Sequence, residues 1–248
     1  MTILRTRDRS SRSTLNNFRL RPVSVVQTWP AAPTFVASTG SASTGLASIG
    51  WPFGTVAGDL GILIVETSGD EAFAAPSGWT AVPGSPVIDV ADATGSTLSV
   101  FYRTAPAGLA SITLAAAVDH KSYQIATFNN VSTTAVLSAV TGTKTTASTS
   151  LSFPSYTVPS KNNLVLFIAS HPVDTGVAQF SALTNSNLTS ITNRINTSTT
   201  NGNGGGICLY TGISANFGSI GATTATVATS CTNACMVLAL EPSIAYAA

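Results

Sequence analysis

Charged residues are scarce in this chain, and long apolar runs are missing. Only 8% of the 248 residues are charged, about a third of the usual share, whereas 44% are hydrophobic. The longest apolar runs, Gly61 to Val65 and Leu164 to Ala169, are far shorter than the ~20 residues that a membrane-spanning helix needs. Residues 1–9 contain no apolar segment of the kind found in secretory signals. The sequence therefore predicts a soluble protein that is made in the cytoplasm without a signal peptide.

Cysteines are few and clustered. Cys208, Cys231 and Cys235 all fall in the last fifth of the chain. Three cysteines do not make a disulfide framework, and a C-x3-C spacing without a nearby histidine is not typical of a zinc site. We expect buried, unpaired thiols, with one bridge between Cys208 and either of the other two as the alternative. The sequence predicts no metal and no cofactor.

Catalytic motifs are also missing. The chain contains no G-x-S-x-G, no P-loop, no dinucleotide fingerprint and no H-E-x-x-H. The adjacent carboxylates Asp70 and Glu71 are typical of a solvated loop rather than of a glycosidase pair. We expect His120 and His171 to be surface-loop histidines. Asp174 is close to His171 in the sequence, so a catalytic base formed by this pair, or a metal site that they share, is the alternative. The sequence predicts a protein that is not an enzyme and has no catalytic residues.

The chain does contain many strand patterns. Two short apolar runs, at 58–68 and 162–170, are each bounded by turn formers, which is typical of strands buried on both faces. Ser and Thr supply roughly a quarter of the residues, and turn signals recur about every ten residues. No segment has the spacing of an amphipathic helix. The predicted fold class is all-β, of the sandwich or jelly-roll type.

The order of these patterns is repeated in the second half. The following segments align: Trp51-Pro52 with Phe153-Pro154, Leu60 with Leu164, Phe101-Tyr102 with Leu209-Tyr210, and Ile125–Phe128 with the region of Val237–Leu240. This order indicates an internal duplication of about 105 residues. We expect two tandem, jelly-roll-like β-sandwich units, at 23–131 and 132–248.

The basic residues are concentrated in residues 1–22. That segment has a net charge of +5, and the rest of the chain has a net charge of −4. With little apolar content it cannot offset the entropy of ordering, so we expect an extended arm that becomes ordered on a partner. The partner is a protein surface or, as an alternative, nucleic acid. The arginines predicted to bind the partner are Arg5, Arg7, Arg9, Arg12, Arg19 and Arg21.

Several of these elements together suggest a family. They are Gly58-Asp59-Leu60, the Pro76–Thr80 turn, the Leu98–Arg103 strand and the closing segment Phe128–Val131. In combination they resemble β-sandwich structural proteins of tailed-bacteriophage virions, of the head-decoration or tail-associated type. The resemblance covers residues 56–131 well and the second half in outline. It implies a non-enzymatic virion component and carries over no active site.

Three functions follow from this resemblance and from the arm. The first is a capsid decoration or cement protein on the capsid surface. Its arm and one sandwich face bind and stabilise the head shell, through the major capsid protein or other virion subunits, and it forms a homo-oligomer such as a trimer. The second is a receptor- or glycan-binding module of a tail fibre or head surface, with loops 68–76 and 196–206 as candidate binding loops. The third is a jelly-roll capsid protein of a small virus, whose arm binds the genome.

Overall fold

The computed structural model describes residues 29–90, 94–133 and 137–243, and this part of the chain is all-β, with sixteen strands and no helix. The arginine-bearing segment 1–22 lies outside the described residues. Within the described ranges, no helix has the length and hydrophobicity needed to cross a membrane.

The first eight strands form what we call unit 1. The predicted apolar run becomes a nine-residue strand, β3, that is buried except at its two ends, and the nearby Trp79 is buried as well. The strands are β1 (Thr34–Ser43), β2 (Ala47–Ile49), β3 (Leu60–Ser68), β4 (Thr80–Ala81), β5 (Val87–Ile88), β6 (Ser96–Thr104), β7 (Ile112–Leu114) and β8 (Lys121–Asn129).

The last eight strands form unit 2. Its central strand is also nine residues long and is buried throughout. The strands are β9 (Ala139–Phe153), β10 (Thr157–Val158), β11 (Asn163–His171), β12 (Phe180–Thr184), β13 (Thr189–Thr199), β14 (Gly205–Ser214), β15 (Gly218–Ser219) and β16 (Thr223–Leu240).

The two units share the pairing order of their long strands, which confirms the predicted duplication. Sheet 1 has the order β1-β8-β3-β6-β4, with β5 also on β6, and sheet 2 has the order β12-β16-β11-β14-β13, with β9 also on β16. In both units the central strand lies between the last long strand and the aromatic strand, and the first strand pairs with the last. In both, a two-stranded sheet, β2-β7 or β10-β15, lies outside the six-stranded one.

Strand register corrects one detail of the sequence alignment. Leu63 of β3 pairs with Phe101, and the equivalent Phe167 of β11 pairs with Tyr210. Phe101 is therefore equivalent to Tyr210, one residue away from the position that the sequence alignment predicted. A shift of one residue would turn a side chain to the opposite face of its sheet. The face on which the two aromatic side chains lie therefore shows which residues of β6 and β14 are equivalent. Both lie on the outer face of their sheet.

Alternation along the strands divides the apolar residues between three clusters. Ile62 and Ile64 of β3 and Leu166 and Ile168 of β11 point between the two sheets into one shared core. The residues between them point outward into separate clusters, which the small sheets and the loops cover. Each unit is thus a small sandwich, and the two units pack against each other through the inner faces of their six-stranded sheets.

The central strands define two ends of the molecule. We call the end where β3 and β11 begin the arm pole and the end where they finish the loop pole. The eight steps of about 3.4 Å between the nine residues of β3 separate the poles by roughly 27 Å. At the arm pole, Asn162 Nδ2 donates to Pro30 O at 2.9 Å and Ser243 N donates to Asn130 O at 2.9 Å. Both ends of the described chain therefore lie at the arm pole.

Candidate functional site

The loop pole brings together loops from both units. The turn after β3 and the residues before β8 come from unit 1, and the segment after β11 and the β13–β14 hairpin turn come from unit 2. They line two adjoining clefts of about 490 and 280 Å³, which share Ser68 and Asn203. β13 and β14 pair up to Thr199 and Gly205, so residues 200–204 form the hairpin turn between them. The two predicted binding loops, 68–76 and 196–206, thus meet at this pole.

Beneath the clefts lies a buried network of charged groups. His120 Nε2 is 3.2 Å from each carboxylate oxygen of Glu66, and His120 Nδ1 is 2.7 Å from Asp119 Oδ2. Asp119 Oδ2 also accepts a hydrogen bond from Asn203 N at 2.7 Å. The side chains of Glu66 and His120 are 0% and 1% exposed, and that of Asp119 is 32% exposed. The network therefore runs from the interior of unit 1 to the backbone of unit 2.

Electrostatics favour a protonated histidine in this network. Burial alone would lower the pKa of His120, but hydrogen bonds and charge from Glu66 and Asp119 outweigh it and raise the pKa to about 9. Burial raises the pKa of Glu66 to about 7, although His120 opposes the rise. The hydrogen bond from His120, together with that from Asn203 N, lowers the pKa of Asp119. Both ring nitrogens face carboxylate oxygens, which suits an imidazolium that donates twice.

Strand alternation explains why Glu66 is buried. It follows Ile62 and Ile64 at a spacing of two and so points into the space between the sheets. Gly205, the first residue of β14, lies against its carboxylate, since a Cβ on Gly205 would be 2.3 Å from Glu66 Oε1. Unit 2 therefore closes over the Glu66 carboxylate at a position where any side chain would collide with it.

The second histidine is buried in a different environment. His171 Nδ1 accepts a hydrogen bond from Val173 N at 3.1 Å, and Nε2 is 3.0 Å from Ser198 Oγ. With one nitrogen accepting, the ring is neutral and donates through Nε2. Burial without a hydrogen-bonded carboxylate lowers the pKa of His171 to about 4. The expectation of surface-loop histidines is wrong for both, because each lies where a strand meets the interface between the units.

The predicted carboxylate pair lies at the rim of the smaller cleft. Asp70 is exposed, and both carboxylate oxygens of Glu71 accept from Val118 N, at 2.9 and 3.0 Å. Asp174 is exposed in the larger cleft. Among the described residues, the carboxylates at the loop pole are those of Glu66, Asp70, Glu71, Asp89, Asp119 and Asp174.

The cysteines are buried free thiols, as the favoured prediction held. Cys208 and Cys235 both pair with Ala169, one on each side of β11. Two strand spacings of about 4.8 Å separate them, beyond the reach of a disulfide. Burial raises the pKa of Cys231 to about 11 and that of Cys235 to about 12, so neither is a reactive thiolate at neutral pH.

Sequence reasoning missed Glu66 and His120 as a pair. The available signal was the spacing of Glu66 from Ile62 and Ile64, which places a carboxylate on a core-facing strand face. Among the described residues, no group of three or more His, Cys, Asp or Glu side chains is placed to hold a metal ion. The six arginines predicted to bind a partner lie outside those residues.

Comparisons with protein-family models, with curated proteins and with solved structures give no match to this chain.

Proposed function

We propose that the protein is a non-enzymatic structural component of a virion, a decoration or cement protein that is attached to the head shell through its arm pole. The observation that carries the proposal is the position of the chain ends. Trp29, the first described residue, lies at the arm pole, where the Lys161 Nζ is 5.0 Å from its ring centroid. The described chain, which follows the arginine-bearing segment in the sequence, therefore begins about 27 Å from the loop-pole clefts.

Exposed aromatic side chains support attachment at the same pole. Trp29 is 51% exposed, Phe53 is 98% exposed and Phe217 is 71% exposed. Phe53 lies in the turn that leads into β3, and Phe217 in the turn that follows β14, so all three belong to the arm pole. Exposed aromatic side chains are enriched in protein–protein interfaces. The occupant that fits is a shell subunit that offers apolar contacts to these rings and acidic groups to the arginines.

The shared core supports a mechanical role. A protein that reinforces a shell transmits force between contacts, which needs units that do not move against each other. Ile62, Ile64, Leu166 and Ile168 lie in one apolar cluster that spans both units. Packing at interior density resists deformation, so the two units act as one block.

The buried network fits a structural role better than a catalytic one. A general base needs a free nitrogen within hydrogen-bond reach of a substrate proton. Both ring nitrogens of His120 face carboxylates, and its side chain is 1% exposed. His171 has both nitrogens engaged as well.

Deletion of residues 2–22 tests the proposal. The truncated protein should keep its β-sheet circular dichroism and should lose binding to virus heads assembled without this protein, measured by co-sedimentation. A matched variant with all six arginines changed to lysine should bind more weakly than the full chain, because lysine lacks the planar fork of arginine. Equal binding by the folded truncated protein and the full chain would refute the role given to the arm.

A receptor- or glycan-binding role is the second candidate, and the meeting of the two predicted binding loops at the loop pole favours it. The clefts are lined by carboxylates, by Asn203 and by backbone groups. Carboxylate, amide and carbonyl oxygens accept hydrogen bonds from hydroxyl groups. The carboxylates of Asp70, Glu71, Asp119 and Asp174 would repel an acidic sugar, so the ligand would be a neutral glycan.

A glycan array probed with the full chain tests this second role. Neutral glycans should bind and sialylated ones should not, and Asp70→Asn with Asp174→Asn should weaken binding without changing head co-sedimentation. An array without any signal would rule the role out.

A further inference from the structure

We propose that Glu66, His120 and Asp119 form a proton-operated latch that holds the β13–β14 turn of unit 2 against unit 1, and that loss of the His120 proton releases this turn. The latch goes beyond the proposed function, since it requires neither a particle nor a glycan. It concerns how firmly the loop pole is closed.

The latch is a continuous chain of hydrogen bonds between the units. His120 joins the buried carboxylate of Glu66 to the partly exposed carboxylate of Asp119. Asp119 then holds the turn through Asn203 N, at 2.7 Å. On the other side of the turn, Gly205 lies directly against Glu66. The turn is thus bonded to the network of unit 1 through Asn203 N, and the start of β14 packs against the same network at Gly205.

Proton counting shows what happens when His120 becomes neutral. A neutral imidazole has one N–H, so it can donate to Glu66 or to Asp119 but not to both. Glu66 is fully buried, and an unpaired buried carboxylate costs several kcal/mol, so the remaining proton stays on Nε2. The lone pair of Nδ1 then faces Asp119 Oδ2 at 2.7 Å, which is repulsive. Asp119, a third exposed, turns to solvent and Asn203 N loses its acceptor.

Other charged groups act on the latch from neighbouring elements. Asp89, after β5, adds negative charge that favours a proton on Glu66. The Lys121 Nζ points away, to Gly45 O on the outer face, and Glu71 bonds to Val118 N. The β11 and β14 side contributes Asp174, which lies against Gly204. These neighbours are mostly acidic, so they favour the imidazolium and a closed latch near neutral pH.

The pH window follows from the direction of each shift. The folded-state pKa of His120, about 9, is above its ordinary value of 6.5, so its stabilisation is complete below pH 6.5 and is lost as pH rises through 9. The pKa of Asp119 is lowered, so its contribution is lost only in strong acid. Glu66 becomes protonated as the pH falls through about 7, and its carboxyl group then still has an oxygen that accepts a hydrogen bond from the imidazolium. The latch is closed between these limits and opens in alkali.

Nuclear magnetic resonance on the full-length, ¹⁵N-labelled protein tests the latch between pH 5 and 10.5. The His120 ring and the Asn203 amide should titrate together, with a midpoint near pH 9. Between pH 6.5 and that midpoint, hydrogen exchange at residues 201–205, corrected for intrinsic rates, should accelerate by about tenfold per pH unit, and it should level off above the midpoint.

Three variants separate the latch from a general effect of alkali. Asp70→Asn, an exposed carboxylate of the same cleft, should leave the Asn203 midpoint unchanged. His120→Gln cannot titrate and should abolish the transition. Asp119→Asn, at a partly exposed position, presents an amide N–H to neutral His120 and should uncouple the Asn203 amide from the ring. A His120 midpoint near 6.5, or an Asn203 amide that ignores the His120 titration, would overturn the proposal.

Discussion

The two units are built alike, yet they differ at one end of their central strands. Leu60 pairs with Phe128 and Leu164 pairs with Leu240, so six residues further on Glu66 of unit 1 is equivalent to Ser170 of unit 2. By the same count, His120 is equivalent to Thr232. Unit 2 forms the same strand pairings without the charged pair. The fold therefore does not need Glu66 and His120.

What the units keep in common is the apolar face. Ile62 is equivalent to Leu166, and Ile64 to Ile168; all four are fully buried in the shared core. A buried ion pair gives weak net stabilisation compared with apolar side chains of similar volume. The difference indicates that the apolar positions specify the architecture and that the charged pair of unit 1 serves the contact with unit 2.

The largest expected effect comes from truncating equivalent core residues. Ile64→Ala and Ile168→Ala should each lower the free energy of unfolding by about 2–5 kcal/mol, because each leaves a cavity in the shared core. Urea unfolding followed by tryptophan fluorescence and by circular dichroism should show one transition for both variants, since neither unit keeps its core when the other unfolds.

Phe167→Ala provides the comparison for this pair, because Phe167 lies in the outer cluster of unit 2 alone. Two separate transitions in Ile64→Ala, with one at the wild-type midpoint, would show that the units fold independently and that the shared core contributes little.

Much of the fold could be predicted from local patterns. The apolar runs of β3 and β11 and the turn formers around them are short-range signals, and so is the turn that places Trp79 inward. The duplication was visible because both halves repeat these signals in one order. The sequence alignment paired Phe101 with Leu209, one residue away from its structural equivalent Tyr210, because loops of unequal length hide the register of the strands.

The candidate site depends on contacts that no local pattern carries. Glu66 and His120 are 54 residues apart and meet because β3 and β8 are neighbours in the sheet. Asn203 meets Asp119 only because the two units pack face to face. His120 and His171 follow or precede turns, which favoured a surface position, while packing of the second unit buried them.

The next effect separates the equivalent positions of the two units. His120→Leu should destabilise the protein by about 3 kcal/mol at pH 7, because it leaves the buried Glu66 carboxylate without its cation. The loss should be much smaller at pH 5, where protonating a glutamate whose ordinary pKa is about 4.3 costs little. Thr232→Val at the equivalent position of unit 2 should cost less than about 1 kcal/mol, as expected for one neutral hydroxyl.

Chemical denaturation of both variants at pH 5 and pH 7 measures this contrast. A His120→Leu loss that is equal at the two pH values would mean that Glu66 stays charged or stays neutral throughout. Either result would show that pairing of the Glu66 and His120 charges does not explain why the two units respond differently to these substitutions.

The smallest effect concerns the residue of unit 2 that covers Glu66. Gly205→Ala should cost about 1–3 kcal/mol, since the new Cβ would lie 2.3 Å from Glu66 Oε1 and the backbone there has a φ of 156°, which side chains rarely adopt. Gly176→Ala, in a loop of the same pole with no heavy atom within 4 Å, is the matched control and should be neutral or slightly stabilising. Because the clash pushes the Glu66 carboxylate away from its place, Gly205→Ala should also lower the His120 midpoint measured by nuclear magnetic resonance. If Gly205→Ala destabilised the protein and left that midpoint unchanged, Gly205 would act on the backbone of unit 2 alone, and its contact with Glu66 would have no part in joining the units.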